Sequence, residues 1–271
     1  MTAIRKLLVL LSILLLTGLS VKAATWTSID VPGSTWTEVW GINAAGDVVG
    51  GYISAGTFHG FLLSNGNLTA IEVPGAVSTV ALAINDMGQI AGGFGTSDGV
   101  THGFVFDGQT YTILDFPDAV YTSALGISAA GEVVGAYGDT LGHRHGFTWS
   151  NGSFVTLDVP DFRSTELHGI NNRGAIVGVC RRKGISRGFL RNSQGVFRKF
   201  SPTELMMDIN DHKIVVGYGD NGFKLNLRTN KITYLQFPGG SSTLCFRINN
   251  IGQIVGRYYD GTKYRGFIRT P

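Results

Sequence analysis

Two cysteines in 271 residues are too few for a disulfide framework. No stretch rich in serine or proline interrupts the chain, so nothing marks a linker between domains. Apolar runs are equally scarce. The one that exists, "LLVLLSILLL", follows Arg5 and Lys6 and precedes the small-residue stretch "VKA" that ends at Ala23. A span needs about 20 residues, so this run reads as the core of a secretory signal peptide over residues 1–23. With no second candidate downstream, the expectation is a secreted or periplasmic chain with no membrane segment after cleavage. No cysteine stands near the cleavage position, which excludes lipid anchoring there. Nucleophile elbow, phosphate-binding loop, zinc spacing and calcium loop are all missing, and no cofactor is expected. Helical periodicity is missing too.

Glycine, by contrast, is abundant: 39 residues, about 14%, twice the usual share of about 7%. Its even spread predicts many tight turns. The segment "GINNRGAIVG" from Gly169 returns as "GINAAGDVVG" from Gly41, "AINDMGQIAG" from Ala83, "GISAAGEVVG" from Gly126, "DINDHKIVVG" from Asp208 and "RINNIGQIVG" from Arg247. Ile42, Ile84, Ile127, Ile170, Ile209 and Ile248 are therefore spaced by 42, 43, 43, 39 and 39 residues, a period of propeller blades or helical arrays. Without helical patterning, blades remain.

Each repeat reads as four short strands bounded by turn chemistry. Gly46, Gly88, Gly131, Gly174 and Gly252 stand where the first hairpin needs positive φ, and Lys213 breaks that pattern, which predicts a strained or differently built turn. Asn65-Gly66, Asp107-Gly108 and Asn151-Gly152 predict two-residue turns into the fourth strand. Pro74, Pro117, Pro160, Pro202 and Pro238 are expected to end that strand. The sixth repeat stops after its third strand, "YRGFIRTP", while residues 25–32, "TWTSIDVP", match the fourth strand of other repeats. The predicted fold is thus all-β: a single domain over 24–271, a six-bladed β-propeller of four-stranded blades, closed by the N-terminal strand completing the last blade.

The succession of "IN..G.[IV]VG", "HGF" and "[DE]VPG" in residues 42–75, repeated with variation through 24–271, resembles the HAF-type extracellular repeat proteins of bacteria. The resemblance implies an exported bacterial repeat protein and carries no activity with it.

A residue present in every blade answers a structural need. Asn43, Asn85, Asn171, Asn210 and Asn249, with Ser128 in the remaining repeat, are expected to bond local backbone in turns. His59, His102 and His145 each precede Gly-Phe, but they lie on third strands of different blades, too far apart to share an ion, so no metal site is expected. Asp139 and Asp260 read as loop residues. Cys180 aligns with Tyr52, Phe94, Tyr137 and Tyr258, and Cys245 with Val39, Ala81, Ala124, Leu167 and Met206. Both slots are apolar, which predicts buried free thiols.

The feature that does not repeat is charge. Residues 24–168 hold 14 acidic residues against two basic ones, and residues 169–271 hold 17 basic against five acidic. Three blades are thus acidic and three basic. Loops joining second to third strands, and those joining one blade to the next, share one face, expected to gather Arg163, Arg181, Arg182, Lys183, Arg247 and Lys263. Such a surface suits an acidic polysaccharide or an acidic protein, or self-association through opposite flanks. Export and the lack of interleaved aromatics disfavour nucleic acid. These features point to a non-catalytic exported binding or scaffold propeller. The alternative is a carbohydrate-active hydrolase or lyase at the channel mouth, with His168, Glu38 and Glu166 as candidate catalytic groups and exposed loop carboxylates as the plain reading of the two glutamates.

Overall fold

The computed structural model describes residues 23–200 and 204–271, so the signal-peptide reading and Pro202 lie outside the described residues. The described chain forms six antiparallel sheets of four strands and no helix. Blades 1 to 5 follow chain order from their innermost strands, Trp36–Ile42, Ser78–Ile84, Tyr121–Ile127, Ser164–Ile170 and Leu205–Ile209. Blade 6 begins at Ser241–Ile248, and its outermost strand is Thr25–Ile29, which pairs antiparallel with Tyr264–Thr270 from Thr25 opposite Thr270 to Ile29 opposite Gly266. The ring closes as the repeat register requires.

Six small cores between the blades hold the ring together. Each blade contributes one fully buried phenylalanine from its third strand: Phe61, Phe104, Phe147, Phe189, Phe223 and Phe267. Burying such a ring contributes about 2–3 kcal/mol. The ring lies against a glycine of the second strand, and the reason for glycine is steric. A Cβ on Gly50 would fall 2.0 Å from the Glu38 carbonyl and 2.8 Å from the Phe61 ring. Every innermost strand carries a bulge at the same place, between Val39 and Gly41 in blade 1, which turns the strand's last residues into the channel.

The turns differ from expectation in two respects and match it in a third. Pairing ends three or four residues before each described proline, which instead occupies the second position of a tight turn: Ala76 N–H donates to Val73 O across Pro74 and Gly75, 3.1 Å, with Gly75 at φ 80°. Proline's fixed φ suits that position, and glycine or aspartate, as Asp118 and Asp161, takes the left-handed one after it. Asp107-Gly108 is part of a four-residue loop rather than a two-residue turn, because the Asp107 carboxylate captures Gln109 N–H and Thr110 N–H at 2.9 and 2.7 Å. Lys213, finally, adopts the glycine conformation at φ 64°, so its turn is built like the others and carries the strain of a side chain there.

The repeated asparagines do more than expected. Asn85 Oδ1 accepts Met87 N–H and Gln89 N–H within its own turn, while its Nδ2 donates to Ser128 O of the next blade at 3.0 Å. Asn171 to Asn210 O, Asn210 to Asn249 O and Asn249 to Asn43 O continue the same link, at 3.1, 3.1 and 2.9 Å. Ser128 lacks an amide, and Asn43 gives its own to Asp47. Those two blades keep only the second link that Asn172 and Asp211 also make, a backbone N–H to a side chain of the next blade: Ala129 to Asn172 Oδ1 and Ala44 to Asp86 Oδ1. The asparagine is therefore an inter-blade clamp as well as a turn residue.

Both cysteines are free and fully buried in these cores. Burial pushes the Cys180 thiol up to about 11 and that of Cys245 up to about 12. The expected result with Ellman's reagent near pH 8 is no reaction in the folded protein and two thiols per chain in denaturant; release of either in the native state would contradict this packing.

Candidate functional site

Alternation along the inner strands puts every second side chain into the channel. From the face that carries the blade-to-blade connections inward, one level holds Trp36, Ser78, Tyr121, Ser164 and Ser242. The next holds Glu38, Val80, Ser123, Glu166, Leu205 and Leu244, and a third holds Trp40, Leu82, Leu125, His168, Met207 and Phe246. The deepest holds small residues in blades 1 to 4, Gly41, Ala83, Gly126 and Gly169, then Asp208 and Arg247.

Arg247 plugs this last level. It is buried, and its guanidinium donates to the carbonyls of Met207 at 3.3 Å and His168 at 3.1 Å, and to that of Leu125 in the blade opposite. Asp208 lies beside it and accepts Ile248 N–H at 3.0 Å. Burial raises the Asp208 carboxyl to about 6, although the charge of Arg247 opposes the shift. Arg247 thus does not belong to the basic loop face. It sits at the far end of its strand, after a bulge that turns it inward, and the channel is blind.

Above the plug, the structure corrects the plain reading of the glutamates: Glu38 and Glu166 are 5% and 8% exposed, because they stand inside strands rather than in loops. They occupy the same level of blades 1 and 4, which the ring places opposite one another. Glu166 accepts from Arg144 at 2.8 Å and from Arg181, and His168 Nε2 stands 3.5 Å from its other oxygen without hydrogen-bond geometry. Burial alone would raise Glu166, but His168, Arg181 and Arg144 together hold it well below the usual carboxylate range. Glu38 has one arginine, Arg257, at 2.9 Å; burial outweighs that attraction and raises its pKa. The structure therefore brings Glu166 and His168 together and leaves Glu38 with its own arginine across the channel.

Aromatic residues complete the mouth. Trp40 stacks on Phe246 with centroids 3.9 Å apart, and the Arg257 guanidinium lies 4.8 Å from the Trp36 ring and 4.6 Å from that of Tyr264. Tyr218 is raised by burial and feels the charges of Arg257, Glu166, Arg181 and Glu38, which makes these groups one cluster. A cavity of about 340 Å³ opens beside it, walled by Glu38, Trp40, Phe58, Val80, Phe94 and Ser123. Four buried side-chain polar atoms have no partner among the described residues: Trp36 Nε1, Tyr121 Oη, His168 Nε2 and Arg257 Nε. All four belong to this mouth. Trp36 and His168 lie beside the carboxylates of Glu38 and Glu166, so these atoms belong to a tight, incompletely bonded polar network that lines the mouth.

The remaining basic candidates lie on the same face. Arg163 ends a blade-to-blade connection, Arg182 ends the second strand of blade 4, and Lys183 opens the two-residue turn after it. No side-chain partner holds these three among the described residues. Lys263 is tied to Asp30 at 2.8 Å, and Arg181 is shared with Glu166. The face is less free in charge than its composition suggests. The repeated histidines pair with a carboxylate of their own blade, His59 with Glu72, His102 with Asp115 and His145 with Asp158, each at 2.7 Å, which is the structural role expected of them.

Sequence reasoning missed Trp36, Tyr121, Arg144, Tyr218 and Arg257. A signal existed for two of them: Tyr218 and Arg257 replace the small Gly51, Gly93 and Ala136 of earlier repeats.

Fold and mouth together define a closed six-bladed propeller with a polar, aromatic-walled recess on its connection face. Among solved structures, the chain is similar to a streptogramin B lyase, with 12% identity, TM-score 0.52, and coverage of 90% of this chain and 97% of that one. It is similar to the PQQ-bound aldose sugar dehydrogenase of Streptomyces coelicolor, at 11%, 0.53, 92% and 98%, and to TolB of Acinetobacter baumannii, at 10%, 0.54, 79% and 60%. These likenesses establish the propeller architecture. No family model matches the chain, and no curated protein sequence does.

Proposed function

We propose that the protein is an exported, non-catalytic binding propeller that takes an acidic glycan at its channel mouth and along the basic blade beside it. The observation that carries this reading is the pair of half-exposed guanidinium groups on the channel mouth, Arg144 at 50% and Arg181 at 40% exposure. Their N–H groups can only donate, and those not spent on Glu166 suit a ligand rich in oxygen acceptors. Trp40 offers a ring wall, as sugar faces require, and Arg163, Arg182 and Lys183 extend positive charge from Arg181 outward. Export rests on the charged and apolar pattern of residues 1–23 and on the resemblance to HAF-type repeat proteins.

The expected result in interferometry is saturable binding of acidic oligosaccharides, weaker at physiological than at low salt, and absent for neutral ones. Exchanging Arg181, Arg182 and Lys183 together for alanine should weaken it by about tenfold or more, at roughly 0.5–1 kcal/mol for each rim charge. Failure to bind at either salt would sink the glycan reading and leave an acidic protein surface or self-association as the meaning of the charge split.

A second reading, a carbohydrate-active hydrolase or lyase, is favoured by one observation: Glu38 is raised and Glu166 lowered, as an acid and an ionised partner would be. Release of new reducing or unsaturated ends, lost in Glu38→Gln, would establish it in place of simple binding.

A further inference from the structure

Blade 3 departs from the repeat at one more place, far from the channel wall. In blades 1 and 2 the third-strand histidine meets its outer-strand carboxylate, and the loop before it offers no further imidazole. In blade 3 the loop joining second and third strands adds Asp139 and His143. His143 Nδ1 stands 3.0 Å, and His145 Nε2 3.3 Å, from Asp139 Oδ2, and all three ligand atoms lie within 4.8 Å of one another. Ligand atoms held about 2.0–2.1 Å from one tetrahedral ion stand about 3.3 Å apart, so the two separations from Asp139 are already close to those such an ion imposes.

The surroundings orient each of them. Asp139 Oδ1 accepts Leu141 N–H at 2.9 Å and His143 N–H at 2.8 Å, which fixes the carboxylate and leaves Oδ2 pointing at the imidazoles. Asp158 takes His145 Nδ1 at 2.7 Å, so Nε2 carries the lone pair toward the cluster when the ring is neutral, the carboxylate-histidine arrangement common at metal sites. His143 and His145 are two apart on or beside one strand and share a side, while Arg144 between them faces away to Glu166. The three side chains are 22–26% exposed, which gives an ion a route in and leaves room for a fourth ligand from solvent.

We propose that Asp139, His143 and His145 form a binding site for one divalent transition-metal ion of the zinc class, with Asp158 as the positioning residue for His145. Two imidazoles and one carboxylate favour zinc, copper or nickel over calcium or magnesium. The three histidines spread over different blades cannot make such a site; a single blade can, because the second ligand pair comes from its own loop. The fourth position, on the connection face, is open to water or to an oxygen donor of an incoming ligand.

The test uses tag-free, chelator-stripped protein titrated with zinc chloride by calorimetry, followed by imidazole nitrogen NMR. One ion per chain is expected, with the ring signals of His143 and His145 shifting and those of His59 and His102 unmoved. His143→Asn should abolish saturable binding, Asp158→Asn should weaken it about 10- to 100-fold, and His102→Asn should leave it unchanged. Calcium chloride should give no binding. Absence of saturable zinc binding in the folded parent protein, or binding that survives His143→Asn undiminished, would overturn the assignment. Because the readout is the ion alone, it stands apart from any outcome with glycans.

Discussion

Removing residues 24–33 should lower the thermal midpoint by about 10–20 °C, or prevent folding altogether. The strand Thr25–Ile29 is the outer edge of blade 6 and closes the ring by pairing the chain's beginning with its end. It brings more than a ladder. Trp26 packs its ring against Phe237 at 5.6 Å and Phe267 at 5.1 Å, Val31 is buried in the core between blades 6 and 1, and Ser28 Oγ accepts the Tyr258 hydroxyl at 2.9 Å. Asp30 then holds both Lys263 and Arg265. Loss of the half-buried Trp26 ring and the buried Val31 side chain together costs about 3–5 kcal/mol and each net hydrogen bond about 1 kcal/mol, so a total above about 5 kcal/mol is expected. For a domain of this size each kcal/mol moves the midpoint by about 2–4 °C. The exposed edge of Tyr264–Thr270 should also promote self-association. A synthetic peptide of residues 24–33, added to the truncated chain, should restore much of the lost midpoint. An unchanged midpoint after truncation would mean that the ring draws no stability from its closure.

The closing strand could be read in advance because repeats expose their own gaps: five units have a fourth strand, the sixth lacks one, and the N-terminus matches it. Periodicity of Ile42 and its counterparts likewise fixes the blade count, and apolar alignment correctly buries Cys180 and Cys245. Periodicity is silent about which way a particular side chain is sent. Arg247 stands at the end of an inner strand, one residue past a bulge, and only the bulge decides that it enters the channel rather than the loop face. Glu38 and Glu166 precede the repeated segment, and counting them as loop residues overlooked that each inner strand starts several residues earlier. The prolines show the same limit. Their spacing is regular, but only the positive φ of the following residue shows that they shape a turn rather than end a strand. The mouth itself is assembled from blades 1, 3, 4, 5 and 6, so no local spacing in the chain could have announced it.

Arg247→Leu should destabilise the protein by about 3–5 kcal/mol at neutral pH, the usual cost of removing one partner from a buried charge pair. Two debts fall due together: Asp208 is left buried without its cation, and the carbonyls of Leu125, His168 and Met207 lose their donor. The sign of the pH dependence follows from burial. Since the folded Asp208 carboxyl titrates at about 6, above its ordinary value of about 4, the folded chain binds a proton that the unfolded chain lacks between those values. This group therefore adds stability as pH falls from about 6 toward 4, and it disfavours the folded state above about 6. Arg247→Leu, which removes the attraction that held the carboxylate ionised, should accordingly cost less at pH near 5 than at pH near 8. Asp208→Asn should flatten the dependence in that window. The decisive comparison is the double variant Asp208→Gly with Arg247→Gly, which restores at this level the small residues that Gly41, Gly126 and Gly169 already provide. It removes both charges at once and lets water reach the freed carbonyls through the reopened channel. In urea denaturation its midpoint should lie well above that of Arg247→Leu, with a coupling energy of about 1–3 kcal/mol between the two sites. Additive losses would mean that Asp208 and Arg247 act independently, and that the plug is a set of carbonyl contacts in which the buried carboxylate has no part.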